Sequence, residues 1–166
     1  MNNTFVAILM GSDSDLPVVQ AAADVLRRFN IACEMRVTSA HRTPQATQDY
    51  VRDCEQRGCA VFICCAGMAA HLAGSVAAQT IKPVIGVPMR TGALQGLDAL
   101  LSTVQMPAGI PVACVAIGVA GAKNAAFLAA QILSLQDPAL GEKLRVEREA
   151  EAEKIINKNK DLGKTN

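Results

Sequence analysis

Apolar positions along this chain come in short blocks whose period changes from one block to the next. Residues 5 to 10, FVAILM, carry no polar side chain and close in Gly-Ser, the pattern of a central parallel strand covered on both faces. Behind Pro17, the residues Val18, Ala22, Val25, Leu26 and Phe29 recur at helical spacing, with Ser14 or Asp15 placed to cap the helix. Ile31, Cys33, Met35 and Val37 then alternate with Ala32, Glu34 and Arg36, which predicts a strand with one wetter face, near a sheet edge. Thr43 as cap and Pro44 at the first position open a second helix, striped by Ala46, Tyr50, Val51 and Cys54 and stopped by Gly58.

The same alternation runs through the rest of the chain. AVFICC at 60 to 65 predicts a third strand, followed by Gly67 and a short helix ending about Gln79; PVIGVP at 83 to 88 predicts a fourth. A helix near 96 to 104 is expected to pack Leu97, Leu100, Leu101 and Val104, and VACVAI at 112 to 117 to form a fifth strand. An alanine-rich helix at 121 to 134 ends at Asp137-Pro138. A polar helix over about 138 to 158 follows, either a solvated arm or a reach onto a neighbouring subunit, with a frayed end. Five strands alternating with helices predict an α/β fold, a three-layer open parallel sheet with right-handed connections, over 1–136, and 137–166 as a charged helical arm of the same domain. Such sheets bind ligands beyond the carboxyl ends of their strands.

Composition refines this picture in three places. Sixteen basic against fifteen acidic side chains give a net charge of +1, no field to collect nucleic acid or an anionic membrane. No signal-like n-region opens the chain and no apolar run is long enough to span a bilayer, so a cytoplasmic protein is expected. The six cysteines lack any CxxC pair and read as small buried hydrophobes, with Cys64 and Cys65 on opposite sheet faces and no metal site expected. Residues 61 to 136 hold only four charged side chains, Lys82, Arg90, Asp98 and Lys123, while the last thirty residues hold fourteen. So long an uncharged segment predicts buried subunit contacts and hence a homo-oligomer.

The loops after the strands gather on one sheet edge. The first, Gly11-Ser12-Asp13-Ser14-Asp15, offers a glycine for close approach, two hydroxyls and the free N–H groups of a helix start, serving either as a phosphate cradle or as ordinary capping. Arg42, in the adjacent Ser39-Ala40-His41-Arg42-Thr43 loop, adds a guanidinium and favours the cradle. The glycine spacing is neither a Walker loop nor GxGxxG, which points to a small phosphate ester such as a nucleoside monophosphate. His41 and His71 are the only histidines and both fall in strand-end loops. There a side chain that exchanges protons near neutrality can serve catalysis or be held structurally by backbone groups. No triad surrounds either one.

Six ordered motifs, MGSDSD at 10 to 15, SAHRTP at 39 to 44, AAHLAG at 69 to 74, PVIGVP at 83 to 88, VQMPAGIPV at 104 to 112 and AIGVAGAKNAAFLAAQIL at 116 to 133, resemble the aminoimidazole ribonucleotide carboxylase family of purine (IMP) biosynthesis, in its class I mutase branch. The resemblance implies a flavodoxin-like subunit in a homo-octamer and an isomerase, using no cofactor or metal. It would move a carboxyl group from the exocyclic nitrogen of N5-carboxyaminoimidazole ribonucleotide to C4 of the ring, giving 4-carboxy-5-aminoimidazole ribonucleotide. By the same resemblance His41 is the acid/base, Gly11, Ser12, Ser14, Asp15 and Arg42 bind substrate, and Ser39 and Ala40 line the ring pocket. The loop from Gly67 through Ala70 and His71 to Leu72 closes over the carboxylate or carbon dioxide. Met68 and Ala73 depart from the family pattern, which has glycine and proline there. Direct carboxylation of aminoimidazole ribonucleotide by carbon dioxide is the alternative chemistry. A non-enzymatic module holding a phosphorylated ligand is the alternative class, and one tyrosine with no tryptophan weighs against flavin as that ligand.

Overall fold

The computed structural model describes residues 4–162. The chain divides into two compact units, Met1–Ala129 and Ala130–Asn166. In the first, strands β1 (Phe5–Met10), β2 (Ala32–Val37), β3 (Cys59–Ala66), β4 (Val84–Pro88) and β5 (Ala113–Cys114) form one parallel sheet in the order β2-β1-β3-β4-β5. Helices α1 (Leu16–Arg28), α2 (Pro44–Gln56), α3 (Leu72–Ala77), α4 (Leu97–Val104) and the start of α5 (Val119–Ser134) alternate with them. This is the flavodoxin-like strand order, with its switch point between β1 and β3.

Strand periodicity sorts the core into two layers. Phe5, Ala7 and Leu9 of β1 and Phe62 and Cys64 of β3 cluster with Tyr50 and Val51 of α2, Leu72 and Val76 of α3 and Ala99 of α4. Val6, Ile8, Ile63 and Cys65 point to the opposite face, where α1 buries Val19, Ala22, Val25 and Leu26. Phe29 and Phe127 meet edge to face at 5.8 Å, joining the end of α1 to α5. Four cysteines are buried, and Cys33 and Cys114 are partly so. Desolvation pushes the Cys59 thiol up to about 11 and Cys65 to about 12, so both stay protonated and act as packing groups.

Three expectations need correction. The fifth strand pairs over two residues rather than six. Beyond Cys114 the contact with β4 continues only as single bonds, Val115 N–H to the Gly86 carbonyl at 3.0 Å and Gly118 N–H to the Pro88 carbonyl at 2.9 Å. The leucine stripe of α4 points away from the sheet: Leu97, Leu101 and Val104 are exposed, while Ala99 and Thr103 are buried. Gly86 explains this, because the Thr103 methyl occupies the place where a side chain at 86 would begin, so helix and strand meet through small groups. On β2, Met35 and Val37 are also exposed rather than packed inward.

The second unit holds the end of α5 and α6 (Pro138–Leu162). Asp137 Oδ1 accepts the N–H groups of Ala139 and Leu140 at 3.0 and 3.1 Å, so the residue expected to end one helix also starts the next. The helix outruns its expected end at 158, and the tail residues expected to fray, 163–166, lie outside the described residues. Among the described residues no helix is long and apolar enough to cross a membrane.

Candidate active site

Reciprocal hydrogen bonds shape the first two strand-end loops. Ser12 Oγ accepts the Ser14 N–H at 3.2 Å and the Ser14 hydroxyl at 2.8 Å, capping a short 3-10 turn, Asp13–Asp15, that leads into α1. Asp15, one of the two residues expected to cap α1, stands at its cap position, but its side chain makes no cap bond; Ser12 caps the 3-10 turn before it. After β2, the Thr43 hydroxyl accepts the Ser39 N–H at 3.1 Å and donates to the Ser39 carbonyl at 3.0 Å. Ser39 Oγ in turn accepts the Arg42 N–H at 3.1 Å. Thr43 stands at the cap position of α2 as expected, but its side chain ties this loop into a ring rather than bonding the helix N–H groups. His41 and Arg42 project from the ring, both exposed.

These loops and the one after β3 enclose a cleft of about 580 Å³ at the switch point, where Gly11 N–H bonds the Cys65 carbonyl at 3.0 Å. Of the residues singled out in the sequence, Gly11, Ser12, Ser14, Asp15, Ser39, Ala40, His41, Arg42, Gly67, His71 and Leu72 line it. Ala70 does not. It is 2% exposed, and its backbone rather than its side chain has a task, since its N–H reaches Ser102 Oγ at 3.3 Å.

The two histidines meet across the cleft wall. His41 Nε2 lies 2.7 Å from His71 Nδ1, with the rings at 87° and centroids 4.9 Å apart. One of these nitrogens donates and the other accepts, so a single proton occupies the space between them and each ring fixes the tautomer of the other. Asp15 lines the same cleft while 5% exposed. Burial raises its carboxyl above the ordinary range, the backbone hydrogen bond at Ser12 opposes that rise, and the nearby Asp13 charge adds to it. Arg42 forms no ion pair among the described residues, so its charge is available to an anion.

Ala66, Met68, Ala69 and Thr91 also line the cleft; the sequence places all four in the strand-end loops of this edge but singles none of them out for binding. Thr91 had a signal in its place in the loop after the fourth strand. Its close partner is Gly67, where any Cβ would fall on the Thr91 hydroxyl. Met68 has a φ of 55°, a left-handed conformation that L side chains rarely adopt.

Comparison with known proteins bears on the family and the fold. The family model described as AIR carboxylase matches residues 5–154. A Pyrococcus abyssi protein named N5-carboxyaminoimidazole ribonucleotide mutase is 58% identical over 144 residues, covering 87% of this chain and 82% of its own length. A Bacillus subtilis protein of the same name is 48% identical over 157 residues, covering 95% and 97%. In three dimensions the crystal structure of Treponema denticola PurE superposes with a TM-score of 0.86 at 33% identity, over 96% of this chain and 98% of that one. With a family match across nearly the whole chain, relatives at about half identity or better and the same fold in a solved structure, this chain belongs to the AIR carboxylase family.

Proposed function

We propose that this protein is an N5-carboxyaminoimidazole ribonucleotide mutase, a cytoplasmic isomerase of purine biosynthesis that moves the carboxyl group from the exocyclic nitrogen to C4 of the imidazole. The names of its relatives support the activity. The observation that carries the mechanism is the His41–His71 pair at the wall of a cleft that also presents Arg42, Asp15 and the hydroxyls of Ser12, Ser14 and Ser39.

Each group has a task that its chemistry suits. Arg42, the Ser12 and Ser14 hydroxyls and the N–H groups of the first loop bind the phosphate, turning binding energy remote from the reaction into positioning. Asp15 repels phosphate and accepts hydrogen bonds from ribose hydroxyls instead. The bond from the carboxyl carbon to the exocyclic nitrogen breaks, carbon dioxide is released into the cleft, and His41 returns a proton to that nitrogen. The electron-rich C4 then attacks the trapped carbon dioxide, and loss of the C4 proton to His41 restores the aromatic ring. The proton given in the first half is recovered in the second, so one imidazole suffices, and His71 holds it in one orientation and tautomer. The Gly67–Leu72 loop shuts water out and carbon dioxide in.

The enzyme works as a homo-oligomer, an octamer by family likeness. The apolar side chains left exposed on α4 and β2, together with the low charge of residues 61 to 136, support subunit contacts there. Light scattering at micromolar concentration is expected to give a large oligomer, and a monomer would overturn this part. The activity is tested with purified protein and each ribonucleotide in turn. Conversion of N5-carboxyaminoimidazole ribonucleotide without added bicarbonate is expected. Turnover only of aminoimidazole ribonucleotide with bicarbonate would make it a carboxylase, and no turnover of either would make it a binding module.

A further inference from the structure

Helix α4 presents two unlike faces, and the inner one grips the loop that carries His71. Ser102 Oγ accepts the Ala70 N–H at 3.3 Å and lies 3.3 Å from the Met68 carbonyl. It also bonds the Asp98 carbonyl one helical turn back, the usual habit of a helical serine. Next to it, Thr103 Oγ1 lies 2.7 Å from the Ala99 carbonyl and 3.5 Å from that of Ala70. Each hydroxyl has one proton and gives it to the nearer carbonyl of its own helix, so the bond that ties α4 to the loop is the one Ser102 accepts from the Ala70 N–H, with the Met68 and Ala70 carbonyls packed beside it.

The anchor is rigid and the object it holds is strained. Thr103 is 3% exposed and its methyl sits directly over Gly86 of β4, which fixes α4 to the sheet without an intervening side chain. Met68, in contrast, holds a left-handed φ of 55°, a conformation that persists only where the surroundings impose it. One residue beyond Ala70 stands His71, whose Nδ1 meets His41. A continuous path of short contacts thus leads from the sheet through Gly86, Thr103 and Ser102 to the paired imidazoles.

We propose that Ser102 is a positioning residue of the carboxyl shift: by holding the Met68–Ala70 backbone against α4 it keeps His71 in register with His41 and the loop closed over the migrating group. This rests on the mutase reading above. Ser102 touches no reacting atom, and its effect appears in the loop it restrains.

Ser102→Ala and Ser102→Thr in the full-length assembled protein test this. The readouts are kcat, KM, the fraction of substrate that ends as aminoimidazole ribonucleotide plus free carbon dioxide, and nitrogen-15 spectra of the imidazoles, of which the chain has only two. Ser102→Ala is expected to lower kcat roughly tenfold, as one lost hydrogen bond allows, with KM within about twofold. It should also raise the leaked fraction severalfold and shift the paired-imidazole signals, while Ser102→Thr restores all of these to near the parent. The proposal is overturned if Ser102→Ala leaves kcat, leakage and imidazole signals unchanged. It is equally overturned if the variant only lowers the melting midpoint and oligomer yield without moving leakage or the imidazole signals. A parent protein inactive on the substrate would instead sink the mutase reading, and the imidazole spectra would still decide whether Ser102 sets the histidine pair.

Discussion

The two ends of the parallel sheet carry similar polar side chains and use them in opposite ways. At the amino ends, Arg57 donates to both Glu34 oxygens at 2.8 Å and to Asp53 Oδ2 at 2.7 Å, and its guanidinium lies 5.0 Å over the Phe5 ring. The Tyr50 hydroxyl donates to Glu34 Oε1 at 2.6 Å. Arg57 answers both carboxylates, and the cluster locks β2 to α2 and to Phe5 of β1. At the carboxyl ends, neither Arg42 nor Asp15 forms an ion pair among the described residues, although both line the same cleft. Polar groups whose partners lie within the fold serve the fold, and polar groups held apart in a cleft await a ligand.

The sharpest way to break this comparison is His41→Asn. The amide keeps a hydrogen-bonding group toward His71 but cannot exchange protons near neutrality, so turnover should fall at least ~10²-fold while the oligomer and melting midpoint hold. Near-normal turnover would place the acid/base elsewhere, with His71 the first candidate. Arg42→Ala comes next in size. Its partner in the proposed complex is the unreacting phosphate, so the loss should appear in KM by roughly ten- to a hundredfold, the worth of one charge-assisted contact of ~1.5–3 kcal/mol. An unchanged KM would reclassify Arg42 as part of the scaffold.

At the other end the expected outcome is reversed. Tyr50→Phe removes one bond to Glu34 and nothing from the cleft, so stability should drop by ~1 kcal/mol in a denaturant titration while kcat and KM stay at the parent values. A loss of activity in the folded variant would erase the division between the two ends.

How far this division can be read from the sequence differs between elements. The strands β1 and β3 announce themselves because they are buried on both faces and their runs are unbroken. The site loops are legible because each follows a strand, whether a buried one such as β1 and β3 or the alternating edge strand β2, and a parallel sheet gathers them on one edge. The packing of α4 is not legible for a physical reason: helical periodicity gives the position of an apolar stripe but not whether the sheet or another chain covers it, and a glycine on the facing strand selects Ala99 and Thr103 instead. The cap positions are legible, Asp15 for α1 and Thr43 for α2, but not the cap bonds, since turn geometry decides which of Ser12, Ser14, Asp15 and Thr43 turns its side chain onto a helix N–H. The Glu34–Arg57 pairing spans 23 residues without a local pattern, and nothing in the spacing forecasts it.

Acid titration gives the smallest effect and separates the two ends by sign. Arg57, then Tyr50, hold the Glu34 carboxylate down to about 2 from an ordinary value of 4.5, despite partial desolvation. That stabilisation is fully present above the unfolded value and is lost as pH falls from there through about 2. Since Glu34 and Arg57 are 37% and 42% exposed, solvent screens the pair, and the slope should be shallow and weaken with salt. Asp15 works the other way: its raised carboxyl is a cost to the folded state while ionised, and protonation on acidification relieves it. Glu34→Gln should therefore flatten the acid loss and lower stability at neutral pH. Asp15→Asn should raise the melting midpoint of the ligand-free protein at neutral pH while weakening substrate binding, the trade expected where a site keeps a charge for a ligand rather than for the fold. If both substitutions lower the neutral-pH midpoint, Asp15 belongs to the scaffold after all, and the contrast between the two ends fails at that residue.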